Sequence, residues 1–326
     1  MAQQSLAEQL QNIKLKPSKD KTKDFSDPKL AGFTTTSEIE TYQNNALKAN
    51  IEEWQTILQN ETFPTSYCPI SYEDATYFLE IYDVYFKNLQ PEHIWERLLN
   101  WRQNFTDKSS NKLDWLNGIC LRLDNSVNEF KQSFTNGLFV KTSSRSAKDA
   151  PVYQKKFMDS YKQELSKYSV EEQKIENNQI ICLLTAAFNG LKVNNVDDIL
   201  NQFVCSERIY QDMLLATEAY DRRKSVDVNL EFRENFVLRP FIQIDVDMEY
   251  RGFVYDYKLT ALSQYNYLLY SKRLNENKEK IEKFILQYYI TRVKPKLESN
   301  NYLKHFIIDF ALCEKKNIDK NIENGE

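Results

Sequence analysis

The sequence predicts an α+β fold: a helix-rich N-terminal region followed by antiparallel sheet lobes. Three observations carry this. From about residue 37 to about 225, apolar residues recur three and four apart, as one buried face of a helix requires. From about 228 to 265 they alternate, as a half-buried strand requires. One apolar run, Gly137-Leu-Phe-Val-Lys141, interrupts the helical part as a strand.

In chain order, residues 1–34 scatter Lys14, Lys16, Lys19, Lys21, Lys23 and Lys29 among Ser, Asp and Pro and read as a flexible basic and polar tail. A domain over 35–326 follows, with a helix-rich lobe to about 225 and a strand lobe from about 226. Ser37-Glu-Ile-Glu40 is a capping-box pattern opening a helix to about Leu58. Thr62 to Ile70 reads as a loop or short extended piece, and Ser71-x-x-Asp74 opens a helix to about Tyr82. Pro91 opens a third helix. Residues 113–134 read as a strand or helix ending in an amphipathic piece that Asn136-Gly137 stops. Beyond the Lys141 strand, a charged helix is expected over Pro151–Tyr168 and a long one over Val170–Leu191, with further helical pieces at 197–203 and 206–214. Strands at about 228–233, 236–244, 249–255 and 258–265 form an antiparallel meander, with Asp256-Tyr257 as a hairpin turn. A helix from Glu276 to about Val293 ends before Pro295, and His305–Leu312 is a last strand. The polar stretch after it reads as a hairpin turn without its return strand, so a C-terminally truncated chain is expected.

Composition excludes several function classes. With 43 Lys+Arg against 47 Asp+Glu, a net charge of -4 predicts neither direct nucleic-acid binding nor attraction to an anionic membrane. The scattered Cys68, Cys120, Cys182, Cys205 and Cys313 form neither a disulfide framework nor a Cys-x-x-Cys metal site, which fits a soluble cytoplasmic protein. The six glycines stand far apart, which removes G-x-G-x-x-G and the Walker A loop. Only His93 and His305 occur, too few for a His-rich metal centre, and His93 suits a surface or capping role.

The chemistry concentrates in three places. Lys141 ends an apolar strand, and Ser143, Ser144, Arg145, Ser146 and Lys148 follow it with hydroxyl, guanidinium, ammonium and backbone donors for one anionic group. The alternative is a lysine whose stem lies on an edge strand and whose head reaches water. Leu238, Arg239, Pro240 and Phe241 come next: a proline cannot donate to a ladder, so backbone groups near it are available to an adenine edge or mark an ordinary strand exit. Glu249, Arg251, Phe253 and Tyr255 share one strand face, where an ion pair would stand in a cleft or serve structure alone. Asp309, set among Ile307, Ile308 and Phe310, is expected to be buried and to need a cation such as Mg²⁺ or backbone donors. Together these outline two strand-built walls around a nucleotide.

In this order the blocks resemble the cell division cycle protein 123 family. Lys141-Thr-Ser-Ser-Arg-Ser-Ala-Lys148-Asp149-Ala150 is similar to that family's Lys-Leu-Asn-Trp-Ser-x-Pro-Lys-Asp-Ala block, and Gln202-Phe-Val-Cys-Ser206 faintly to its Leu-Leu-Lys-Ser-Ser segment. Leu238-Arg239-Pro-Phe241, Glu249-Tyr-Arg251-Gly-Phe-Val254 and Leu262-Ser-Gln264-Tyr265 resemble its later motifs, and Asp309 resembles the first of its magnesium-binding aspartates. The departures, among them Ser144 for a tryptophan, Ala147 for a proline and Phe241 for a hinge tryptophan, mark a divergent member. The resemblance implies an ATP-grasp fold clamping Mg-ATP between two lobes. Lys141 and the loop 143–148 would contact phosphates, Leu238 to Phe241 would face adenine, Arg251 would neutralise phosphate charge and Asp309 would hold Mg²⁺. It also implies an ATP-dependent assembly chaperone of eukaryotic translation initiation factor 2, acting on the gamma subunit; a monomer is expected. The alternatives are an ATP-dependent carboxylate ligase, which is analogy from the fold, and a non-catalytic interaction protein with a degenerate pocket.

Overall fold

A computed structural model describes residues 36–107, 109–134, 136–224 and 230–313. The expected tail, the start of the strand at 228–233 and the polar C-terminal stretch with its hairpin turn lie outside the described residues. The chain falls into two units that divide between Ala46 and Leu47; the sheets and the candidate site belong to the second.

The helix expected over 37–58 is two helices, α1 (Thr36–Leu47) and the single turn α2 (Ile51–Trp54). Asn50 breaks it with an extended ψ of 147°. Its buried side chain donates to Glu234 Oε1 at 3.3 Å, and the next amide, Ile51 N, donates to Ser143 O at 3.0 Å, so long-range hydrogen bonds override local helix preference.

The first sheet is antiparallel, with strands β1 (Ser66–Ile70), β2 (Leu138–Lys141), β3 (Lys192–Val193) and β4 (Glu234–Pro240) in the order β1-β4-β2-β3. Leu138, Val140, Phe236 and Leu238 alternate into one core with residues of α3 (Tyr72–Tyr85), α4 (Pro91–Thr106) and α5 (Ser110–Lys131). The cap expected on α3 is present in both directions: Asp74 N donates to Ser71 Oγ at 3.0 Å, and Ser71 N donates to Asp74 Oδ2 at 2.7 Å. The ambiguous stretch 113–134 lies mostly within one helix, α5. The two helices expected between 151 and 191 each follow a 3₁₀ turn, at Pro151–Tyr153 and Glu172–Lys174; they are α6 (Lys155–Leu165) and α7 (Glu176–Gly190). Helices α8 (Val196–Cys205) and α9 (Glu207–Lys224) complete this half.

The second sheet holds β5 (Glu249–Tyr255), β6 (Lys258–Gln264) and β7 (Phe306–Ala311) in the order β6-β5-β7, all antiparallel. The expected meander is therefore corrected. Residues 230–233 are not strand, and β4 pairs on one side with β1 and on the other with β2, leaving no free edge for β5. The place beside β5 goes to β7. The hairpin at Asp256-Tyr257 forms without glycine, both residues holding positive φ of 49° and 57°. Behind this sheet run α10 (Lys272–Tyr288), a π-turn (Tyr289–Val293) and α11 (Lys294–Ser299). Pro295 does not end the helix as expected. The π-turn loosens the hydrogen-bond ladder just before it, which accommodates a residue with no amide hydrogen.

Val254 packs with Leu58, Tyr257, Tyr289, Val293 and Leu297 in a second core. Gly252 lies on the same strand face, where a Cβ would stand 2.7 Å from Leu259 Cδ1 and 3.0 Å from Phe310 Cε2. Gly252→Val should therefore destabilise the protein by about 1–3 kcal/mol through overpacking, read as a lower urea midpoint. An unchanged midpoint would mean that the side chains of β6 and β7 do not close over Gly252 in this way.

Candidate functional site

Loop 142–149 leaves β2 and turns back at once. Thr142 N donates to Arg145 O at 2.7 Å, and Arg145 N donates to Thr142 Oγ1 at 3.0 Å. Helix α9 anchors this turn. The buried Asp212 carboxylate accepts from Thr142 Oγ1 and Ser144 Oγ, with Arg145 Nε 4.0 Å away. At the N-terminus of the same helix, Asp149 accepts from Ser206 Oγ at 2.5 Å and from Arg208 N at 3.2 Å, while Arg208 Nε donates to Ser146 O at 3.1 Å. Several donors expected to face an anion are thus engaged by the protein itself. Ser143 Oγ is buried and donates to Glu52 Oε1 at 2.6 Å, and Ser144 is held by Asp212.

The predicted cations separate into two pairs. Lys141 and Arg239 share the face of the first sheet that turns away from its core: Lys141 lies opposite Val237, and Phe139 opposite Arg239. Lys141 Nζ donates to Ser143 O at 3.3 Å. Burial, with the like charge of Arg239 beside it, pulls the ammonium down to about 8, although Asp212, Glu52 and Glu234 oppose this. Arg239 donates to Thr62 Oγ1 at 3.2 Å and lies 5.9 Å from the Trp54 ring centroid, with its Nε buried and unpartnered among the described residues. Burial pulls its guanidinium down to about 10.

Lys148 and Arg251 form the second pair, and they meet on Tyr265. Lys148 Nζ donates to the Tyr265 hydroxyl at 3.0 Å and lies 4.2 Å from the ring centroid, and the Arg251 guanidinium lies 4.7 Å from the same centroid. This joins the loop of the first sheet to the end of β6 in the second. No contact in the described residues links Lys141 with Arg251.

Two structural expectations are corrected. Asp309 is not buried: 47% of its side chain is exposed, because β7 alternates and places Asp309 on the open face with Ile307. It receives Arg251 in a bidentate pair, Nε to Oδ1 at 2.8 Å and Nη2 to Oδ2 at 2.9 Å. The backbone about Pro240 is not free either. Leu238 and Pro240 are buried in the register opposite Val140 and Leu138, and Phe241 N donates to Gly137 O at 3.0 Å while its ring packs 5.3 Å from Phe188. Glu249 stands at the start of β5, where its carbonyl accepts from Tyr265 N at 2.9 Å. Among the described residues no cluster of His, Cys, Asp and Glu is arranged to hold a metal ion.

Sequence reasoning missed Glu52, Asp212 and Glu234. Glu52 lies in the single turn α2, Asp212 inside α9 and Glu234 at the start of β4, and spacing alone does not show that they gather near Lys141. Glu234 is buried and pushed up to about 8, by burial first and then by the charges of Asp212 and Glu52. A carboxyl raised in the folded state gives stability that is complete below its unfolded value and is lost as pH rises through the folded one. Stability should therefore fall between about pH 4.5 and 8; Lys141, lowered, acts above that window. Glu234→Gln cannot ionise and should flatten the fall. Urea midpoints from acid to neutral pH test this, and a slope as steep as in the native protein would reject it.

The comparisons with known proteins follow the same outline. The model of the D123 family matches residues 183–321. A Translation initiation factor eIF2 assembly protein of Dictyostelium discoideum is 28% identical over 116 residues, which is 35% of this chain and 29% of that protein, so the match spans less than a third of the relative's length. The C-terminally truncated Cdc123 structure from Schizosaccharomyces pombe aligns with a TM-score of 0.50 at 17% identity, covering 83% of this chain and 81% of the other. The Cdc123 structure from the same organism gives 0.50 at 15% identity, with the same coverage. At that identity the structures speak to the fold, α+β and ATP-grasp-like, while the family match falls on the sequence from α7 through β7. The family match covers less than half of this chain, and together with the structural likeness it makes the chain similar to Cdc123-family proteins.

Proposed function

We propose that this chain binds Mg-ATP between its two sheets and serves in assembling translation initiation factor 2, with the gamma subunit as its client. The observation that carries the nucleotide reading is the meeting of Lys148 and Arg251, from different sheets, on one tyrosine. Two cations gathered on one ring suit a polyphosphate better than any neutral ligand. The assembly role rests on the D123 match and on the name of the Dictyostelium relative.

The donor set fits the phosphates of ATP. Lys148, Arg251 and Arg145 have accessible charge, and Lys141 and Arg239 add positive potential from the interior. Mg²⁺ fits less completely. Both oxygens of Asp309 are engaged by Arg251, so Asp309 would supply one ligand at most, and phosphate oxygens and water would complete the shell, as Mg²⁺ commonly allows. The metal would neutralise phosphate charge. The chain's own groups hold and orient the polyanion.

A second reading, a nucleotide-free interaction protein, is favoured by one observation: Ser143, Ser144 and Asp309 are each already satisfied within the protein. Calorimetry with Mg-ATP separates the two. Lys148→Met or Arg251→Ala should weaken binding by about 1.5–3 kcal/mol each, the scale of a charge-assisted hydrogen bond. Lys141→Ala, which removes a buried charge acting through its field, should weaken binding less than either. Absence of binding to the native chain would leave the interaction reading. Co-precipitation of the isolated gamma subunit, with and without Mg-ATP, tests the client, and no capture in either condition would remove it.

Asp309→Asn offers a further check. It should release Arg251 from its partner and strengthen binding of inorganic pyrophosphate without metal, while weakening the gain that Mg²⁺ adds. Loss of pyrophosphate binding in this variant would show that the pair positions Arg251 rather than occupying it.

A further inference from the structure

Tyr265 stands where the loop of the first sheet reaches the second. It follows β6 directly, and its amide donates to Glu249 O at 2.9 Å, so the backbone that carries the ring is tied to the start of β5. Lys148 reaches its hydroxyl at 3.0 Å, and two cations face its ring at 4.2 and 4.7 Å. A phenol oxygen accepts from an ammonium, and the negative face of the ring attracts a second cation. Two like charges brought this close repel unless a group between them offsets the repulsion. Asp309 restrains only Arg251, and Tyr265 is the group that both cations touch.

We propose that Tyr265 is a positioning residue that holds the Lys148 ammonium and the Arg251 guanidinium together as a preformed seat for a phosphate-bearing polyanion. The identity of that ligand rests on the nucleotide reading above; the positioning does not. With the ring in place, a ligand meets both charges at once and need not gather two flexible side chains, which lowers the ordering cost of binding. Without the ring, Lys148 returns to solvent and the seat becomes two independent charges.

The experiment uses the full chain with Tyr265→Phe, Tyr265→Leu, Lys148→Met and the double variant Tyr265→Leu/Lys148→Met. In the absence of ligand, the rate at which an amine-reactive reagent labels Lys148, read by mass spectrometry against the other lysines, should rise severalfold in Tyr265→Leu and less in Tyr265→Phe, which keeps the ring. Calorimetry with inorganic pyrophosphate should show about tenfold weaker binding in Tyr265→Leu and no further loss when that change is added to Lys148→Met. A purely structural role would move the labelling of many lysines and give additive losses. Should the leucine variant not fold, Tyr265→Phe with both readouts suffices, because it preserves the packing volume. Unchanged Lys148 labelling, or additive losses, in a chain that binds ATP overturns the positioning role alone. A native chain that binds neither ATP nor pyrophosphate overturns the seat and the nucleotide reading together.

Discussion

A carboxylate taken out of water must be met by donors, and at Asp212 that requirement shapes the site. The group is 4% exposed on α9, and Thr142 and Ser144 turn their hydroxyls to it. Thr142 can do so only if the chain reverses immediately after β2, which brings its amide onto Arg145 O. The reversal in turn fixes what faces out. Ser143, Ser146 and Ala147 go inward, while Ser144, Arg145 and Lys148 keep access to solvent. The hydroxyl-rich composition of this loop therefore serves first to hold a buried acid, and its cations are what remain for a ligand.

A second buried acid fastens the other sheet. Glu61, with its side chain 2% exposed, accepts from Tyr288 at 2.6 Å, from Lys296 at 2.9 Å and from Arg292 at 3.2 Å. Burial by itself would raise its carboxyl, yet these donors outweigh burial and hold it below the usual range. Glu61 lies just ahead of β1, so the segment entering the first sheet is tied to the helices that back the second. Asn177 and Tyr270 add a reciprocal pair, Asn177 Nδ2 to Tyr270 O at 3.0 Å and Tyr270 N to Asn177 Oδ1 at 2.7 Å. These attachments give the meeting of Lys148 with Tyr265 a defined geometry.

Much of this was legible locally. The α3 cap, the strand that ends at Lys141, the shared face of Arg251, Phe253 and Tyr255, and β7 as a strand all follow from side-chain period and capping chemistry, which depend on near neighbours in the sequence. What escaped depends on distant partners. That β4 leaves the meander is decided by β1 and β2, about 165 and 100 residues upstream by register. That Asp309 is an exposed acceptor is decided by Arg251 across the ladder, not by the isoleucines beside it in sequence, since adjacent strand residues face opposite ways. Glu52, Asp212 and Glu234 carry no motif, and only their convergence beside Lys141 gives them meaning.

The two cation pairs differ in what a ligand would have to overcome. Lys141 and Arg239 lie in the interior, both pulled towards neutrality by burial, and the acids near Lys141 oppose this only in part. Arg251 and Asp309 form an ion pair with 37% and 47% of their side chains exposed, and a pair this open contributes about 1 kcal/mol or less to stability. Exchange of Asp309 for a phosphate oxygen at Arg251 therefore costs the fold little. The same exchange at Lys141 would need a ligand to enter a cluster already holding Glu52, Asp212 and Glu234. It follows that a polyanion engages first at Lys148 and Arg251, where charge is accessible and already paired in space. Lys141 and Arg239 then act through the field they project on the site, as a positive wall behind it.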